Sequence, residues 1–259
     1  MPHNLFKELK NWFDEYVSGF QYPDREDQKQ IDLKYHHSYR VLNEIRDLSK
    51  SLNLPRRQVT MAKIIGLFHD IGRFEQYDRY QTFSDARSLD HAELGVEIMV
   101  DNNLLSGLDE VDKDRIYRAI KYHNKIEIPE ASFREDKTGL TYARLIRDAD
   151  KLDIWNIFAR HYSSNDDNNK LTHSLSPDGG ITPEVYERMK KGEVIKYRTL
   201  KTRDDMKLMQ MGWVYDLNFR ASLARVKKRG YIDQIYRSMS SSPEADDIYQ
   251  QIIDYLNHI

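Results

Sequence analysis

Apolar residues in this chain recur mostly at steps of three and four, the spacing that keeps them on one face of a helix. From Asn4 to Gly19, Leu5, Phe6, Leu9, Trp12, Phe13 and Tyr16 share one side. A helix from about Ile31 to Leu52 carries the stripe Leu33, Val41, Ile45, Leu48 and Leu52. The next starts at Pro55, a residue suited to a first turn, and runs to about Asp70, with Gly72 expected to end it. Helical spacing returns at about 91–105, with Asp90 or Ser88 as its cap, then at 112–123 and 140–160. Further helices are expected at 183–191, 203–229, 231–239 and 243–257, two of them opened by Thr182-Pro183 and Ser242-Pro243. Val194 to Leu200 reads as a short strand or an extended arm. The pattern predicts an all-α protein.

Two stretches break the period. Residues 73–90 lack sustained apolar spacing yet hold Arg73, Arg79 and Arg87 among Phe74, Tyr77, Tyr80 and Phe83, which reads as a long functional loop. Residues 161–181 are polar and rich in Asn, Ser and Gly, as linkers are. The expected organisation is an N-terminal helix in 1–30, a helical core in 31–160, a linker over 161–181, and a helical extension in 182–259 that packs on the core.

Five places on the stripes carry polar chemistry. His37 lies between Leu33 and Val41 at four-residue steps, and His69-Asp70 continues Met61 and Ile65. His91 precedes Leu94, Ile98 and Met99; His123 continues Ile116, Ala119 and Ile120; Asp150 falls between Ile146 and Ile154. A lone histidine on such a face is commonly a satisfied core residue. Buried carboxylates need a partner, and these faces offer no basic residue, so a shared cation is the simplest compensation. Composition narrows the ligands. The chain has no cysteine and nine histidines, which excludes disulfides, thiolate zinc sites, iron–sulfur clusters and a cysteine nucleophile. Any ion must be held by imidazole and carboxylate.

Charge is balanced, 40 basic against 42 acidic residues, which argues against polybasic binding of nucleic acid or anionic membrane. No run approaches the ~20 apolar residues of a membrane span, and the start of the chain shows no basic region followed by an apolar one. The expected setting is cytoplasmic, without membrane partners.

The ordered set His37, His69-Asp70 and Asp150, within the words HHSYRV, GLFHDIGR, DHAELG, AIKYHNK and RDADKLD, resembles the HD superfamily of metal-dependent phosphohydrolases over about residues 31–157. That resemblance implies an HD-domain helical bundle with additional C-terminal helices. It implies His37, His69, Asp70 and Asp150 as core ligands, with His91 and His123 added in the two-metal branch and Asp70 bridging. One or two divalent ions are implied; Fe, Mn, Zn, Ni and Mg are not distinguished by these ligands. The implied reaction is hydrolysis, by a metal-activated water, of a phosphate ester or phosphoanhydride in a small, nucleotide-like molecule.

Within that frame Asp70, Arg73 and Lys151 are candidate catalytic residues. Arg73, Tyr77, Arg79 and Arg87 are candidates for meeting substrate phosphates or a base. Asn124 stands where the cyclic-dinucleotide branch has a second histidine, and Arg73 where the deoxynucleoside triphosphate branch has one, so no subfamily is assigned. A mixed-valence di-iron oxygenase, which uses the same ligands, is the alternative. A non-catalytic binding module built on the basic, Tyr-rich C-terminal region is a further one. Homo-oligomerisation stays open. His36 is read as a surface or structural residue, and His3, His161, His173 and His258 as solvent-exposed.

Overall fold

The computed structural model describes residues 2–163, 175–177 and 179–258. The described residues are all-α. An isolated parallel bridge joins Ser176 and Thr202, and the stretch 194–200, expected as a short strand or an extended arm, is irregular chain with one 3-10 turn. The chain falls into two compact units, Met1–Asp150 and Lys151–Ile259.

In the first unit, α1 (Pro2–Ser18) and α2 (Arg25–Ser51) precede α3 (Arg56–Phe68) and α4 (Gly72–Tyr80). They are followed by α5 (His91–Asp101), α6 (Glu110–Tyr122) and the first half of α7 (Lys137–Ser163). Helix α2 starts earlier than its apolar stripe because Asp24 caps it, accepting from the amides of Glu26 and Asp27. Helix α3 packs against α1, α2 and α6, and α5 against α4 and α6. Phe13, Val41, Ile45, Leu48, Ile65, Phe68 and Phe74 are fully buried at the centre. Leu33 departs from its expected place: it is 42% exposed although it lies one turn before His37.

Two glycines set the approach of these helices. A Cβ at Gly66 would meet Ile45 Cγ2 at 2.5 Å, so α2 and α3 touch there. A Cβ at Gly72 would meet the His91 carbonyl oxygen at 2.2 Å and the Gly95 nitrogen at 2.7 Å. Gly72 therefore does not end a helix, as the sequence predicts. It begins α4, and its missing side chain lets α4 lie directly on the first turn of α5.

The stretch 73–90 is half helix rather than loop. Helix α4 runs through Tyr80 and closes at Gln81, which is left-handed (φ 51°). Its period was hidden because a core-facing position is polar. Gln76 is fully buried, and its side-chain amide donates to Asp85 Oδ1, Ser88 Oγ and the Leu89 carbonyl at 2.8–2.9 Å.

The second unit contains residues 151–163 of α7 and helices α8 (Pro183–Lys190), α9 (Arg203–Gly212), α10 (Arg220–Arg229), α11 (Tyr231–Arg237) and α12 (Pro243–Asn257). Trp155 is fully buried here and donates from Nε1 to the Gln210 carbonyl at 2.9 Å. The single helix expected over 203–229 is two, separated by a 3-10 turn and the extended residue Leu217. Thr202 and Asp205 form a capping box at α9, and Asp205 also accepts from the Thr182 amide at 2.8 Å. Met206, Met209 and Met211 are buried, and Lys227, Lys228 and Arg229 form the last turn of α10 before Gly230. Of the expected linker, 164–174 and 178 lie outside the described residues, His173 among them.

Candidate metal centre

Six side chains from five segments meet at one point. His37 comes from the middle of α2. His69 and Asp70 occupy the turn between α3 and α4. His91 is the first residue of α5, whose cap Asp90 accepts from the amides of Ala92 and Glu93. His123 caps the C-terminal end of α6, and Asp150 lies within α7. The four histidines and Asp70 are all buried, while the Asp150 side chain keeps 20% exposure.

Every imidazole presents Nε2. His37 Nε2 lies 3.3 Å from His69 Nε2, 3.1 Å from Asp150 Oδ1 and 3.6 Å from Asp70 Oδ2. His91 Nε2 lies 3.2 Å from His123 Nε2 and 3.1 Å from Asp70 Oδ1. His123 Nε2 is 3.6 Å from the same oxygen. Asp70 thus turns one oxygen to each pair of histidines.

The opposite ring nitrogens fix the tautomers. His69 Nδ1 lies 3.0 Å from the Gly66 carbonyl and His123 Nδ1 2.7 Å from the Ile120 carbonyl. His91 Nδ1 lies 2.8 Å from Asp85 Oδ2. Carbonyl and carboxylate oxygens only accept, so Nδ1 carries a proton in each ring, and the neutral ring then offers Nε2 as a lone pair. Two such lone pairs face one another at 3.2 Å between His91 and His123. Asp150 Oδ1 is buried and makes no hydrogen bond. Converging lone pairs and an orphaned carboxylate oxygen suit a divalent cation, and a nitrogen–oxygen donor set suits iron, manganese, zinc or nickel. Two sets of atoms close enough to share an ion are His37, His69 and Asp150, and His69, Asp70 and His123. A third group, Asp85, Asp90 and His91, is the support behind His91, because Nδ1 of that ring already serves Asp85.

Electrostatics agree with an ionised site. Burial alone would raise the Asp70 carboxyl; the Lys34 ammonium and then the surrounding imidazoles outweigh it and hold Asp70 well below the usual carboxylate range. Burial opposes ionisation of Asp150 too, and the adjacent His37 and His69 rings outweigh it.

Arg73 also belongs to this neighbourhood. Its Nε lies 3.5 Å from Asp70 Oδ1, and its Nη1 donates to Gln76 Oε1, the Phe83 carbonyl and Asp85 Oδ1. The other expected substrate residues have partners of their own. The Tyr77 hydroxyl donates to Asp27 Oδ1 at 2.8 Å, and its ring packs on Phe83. Arg79 pairs with Glu75 one turn back on α4. Arg87 is exposed and donates to Thr82 Oγ1 at 3.1 Å. Lys151 follows Asp150 in sequence but pairs with Asp216 Oδ2 at 2.8 Å, and neighbours i and i+1 on a helix do not share a face. His36 is exposed, as is His258, while His161 is half-buried against the Tyr162 ring.

Three contributors escaped the sequence reading. Lys34 Nζ donates to Asp70 Oδ2 at 2.7 Å; its place three residues before His37, on the same helix face, was the available signal. Asp85 supports His91 and also receives Arg73, Gln76 and Asn124, yet nothing in a polar stretch sets it apart from Asp78 or Asp90. Arg147 is buried and donates to the carbonyls of Lys125 and Ile126, holding the turn after His123.

A helical bundle that gathers four histidines and two aspartates in this order offers buried groups that could hold a metal ion. Residues 35–155 match the family model of the HD domain, which supports a likeness of this region to the HD-domain superfamily. The chain has no match among curated proteins and none among solved structures. Among the described residues, no helix is long and apolar enough to cross a membrane.

Proposed function

We propose that the chain is a metal-dependent phosphohydrolase acting on a phosphate ester or phosphoanhydride of a small, nucleotide-like molecule. The observation that carries this reading is Asp70, whose two oxygens face two different pairs of imidazole lone pairs. His37, His69, Asp70 and Asp150 are assigned to one divalent ion, and Asp70, His91 and His123 to a second. Such ions supply Lewis-acid polarisation of phosphoryl oxygens and lower the pKa of water.

The chain's own residues do the positioning. The Gly66 and Ile120 carbonyls hold the Nδ1 protons of His69 and His123, which orients both rings with Nε2 aimed inward. Asp85 does the same for His91. Arg73, committed to Asp85 and lying against Asp70, braces these two carboxylates. Arg87 remains a candidate for a distal phosphate because its guanidinium is exposed.

The test begins with elemental analysis of the purified protein, where this reading expects two ions per chain. Anaerobic turnover of mononucleotides, dinucleoside polyphosphates and cyclic dinucleotides with Mn²⁺ follows. Hydrolysis without O₂ supports the proposal. Absence of hydrolysis, with O₂ consumed in the presence of an oxidisable substrate, would replace it with the di-iron oxygenase.

A further inference from the structure

Lys34 and Arg73 both touch Asp70, but they are held differently. Arg73 is 15% exposed, and one of its terminal nitrogens is shared among three acceptors. That guanidinium is fixed. Lys34 makes one polar contact, to Asp70 Oδ2, and its ammonium stands 5.5 Å from the centre of the Phe83 ring. An ammonium has three N–H donors, so two of them have no protein acceptor. The side chain is 19% exposed, and its neighbour Leu33 is 42% exposed, so this part of α2 reaches solvent where His37 reaches the metal centre.

Charge explains why such a lysine belongs here. Without ions, Lys34 offsets Asp70, and Arg73 offsets Asp85. Two divalent ions add four positive charges against the two carboxylates Asp70 and Asp150. A further ammonium beside that surplus would only repel, unless an anion arrives to share it. The ion assigned beside His37 and His69 also competes with Lys34 for the same Asp70 oxygen.

We propose that Lys34 is the phosphoryl-binding cation of the loaded site, donating its free N–H groups to an oxyanion of the substrate while Arg73 stays a fixed brace. The proposal rests on the hydrolase reading above. A flexible ammonium on a four-carbon stem can follow a phosphoryl group, whereas the Arg73 guanidinium is tied through Nη1 to three acceptors.

The experiment compares the wild-type protein, Lys34→Met and Lys34→Arg, each loaded with Mn²⁺. The probe is inorganic phosphate, titrated by calorimetry, with ion content measured on the same samples. Ion content is expected to be the same in all three. Phosphate affinity should fall at least about tenfold in Lys34→Met, the size of one lost charge-assisted hydrogen bond, and recover largely in Lys34→Arg. Unchanged phosphate affinity in Lys34→Met overturns the proposal. So does a loss of ions in that variant, which would make Lys34 a support for Asp70 instead. Failure of the ion-loaded wild type to bind phosphate at all would overturn the hydrolase reading itself, and this inference with it.

Discussion

The two halves of the candidate metal centre share Asp70 but are built by different means. His37 and Asp150 project from within the long helices α2 and α7, so helix packing fixes them. His91 and His123 stand at helix ends, one opening α5 and the other closing α6. Their aim depends on residues that are not ligands: the Asp90 cap, the Asp85 carboxylate, the Ile120 carbonyl and the grip of Arg147 on the following turn. The first half also owns a second carboxylate, Asp150, whereas the second has only its share of Asp70. The lesson is that His37 and Asp150 are fixed mainly by the helices that carry them, and His91 and His123 mainly by hydrogen bonds at helix ends. Substitutions outside the ligand set should therefore be felt mainly at His91 and His123.

The largest effect tests what the halves share. Asp70→Ala should remove both ions and reduce turnover to background; elemental analysis that still finds one ion would show the halves to be independent. Next is Gly72→Ala. Its Cβ would press on backbone atoms of His91 and Gly95, so α4 and α5 must part, at about 1–3 kcal/mol of stability. Thermal unfolding should show the loss, and the ion beside His91 should be the one released.

Asp85→Asn comes third. It leaves His37 and His69 untouched and should weaken only the second ion, by roughly 10- to 100-fold in affinity, as read by competition with a chelator. The same variant carries a pH signature in the ion-free protein. Burial would raise the Asp85 carboxyl, but His91, Arg73 and Gln76 hold it below the ordinary range. A depressed carboxylate contributes stability that is fully present above about pH 4 and is lost as pH falls through its folded value. Asp85→Asn should flatten that acid limb in a denaturant titration at several pH values. The smallest effect is Arg79→Ala: an exposed ion pair one turn apart on α4 should shift stability by less than about 0.5 kcal/mol and leave ion content unchanged.

This contrast also marks what was legible in the chain. The all-α class, most helices and all six converging side chains could be read from apolar spacing and the His-Asp order, because ligands on stripes leave a periodic trace. The supports left none. Asp85 and Arg73 act through contacts between segments, and their types are ordinary in a polar stretch. Helix α4 was hidden by Gln76, a buried amide standing where the pattern wants an apolar residue. Gly72 looked like a terminator because its role, a close backbone approach to His91, depends on a helix nineteen residues further on. Lys34 was visible only as a lysine, since what distinguishes it is the oxygen it meets.

Helix α7 crosses the boundary between the two compact units without a break, and Asp150 is the last residue before that boundary. A protein chemist cutting the chain at its natural seam would thus leave a metal ligand on the final, fraying turn of a helix. A shortened chain ending at residue 150 should lose the ion beside His37, while one ending near residue 163 should keep it.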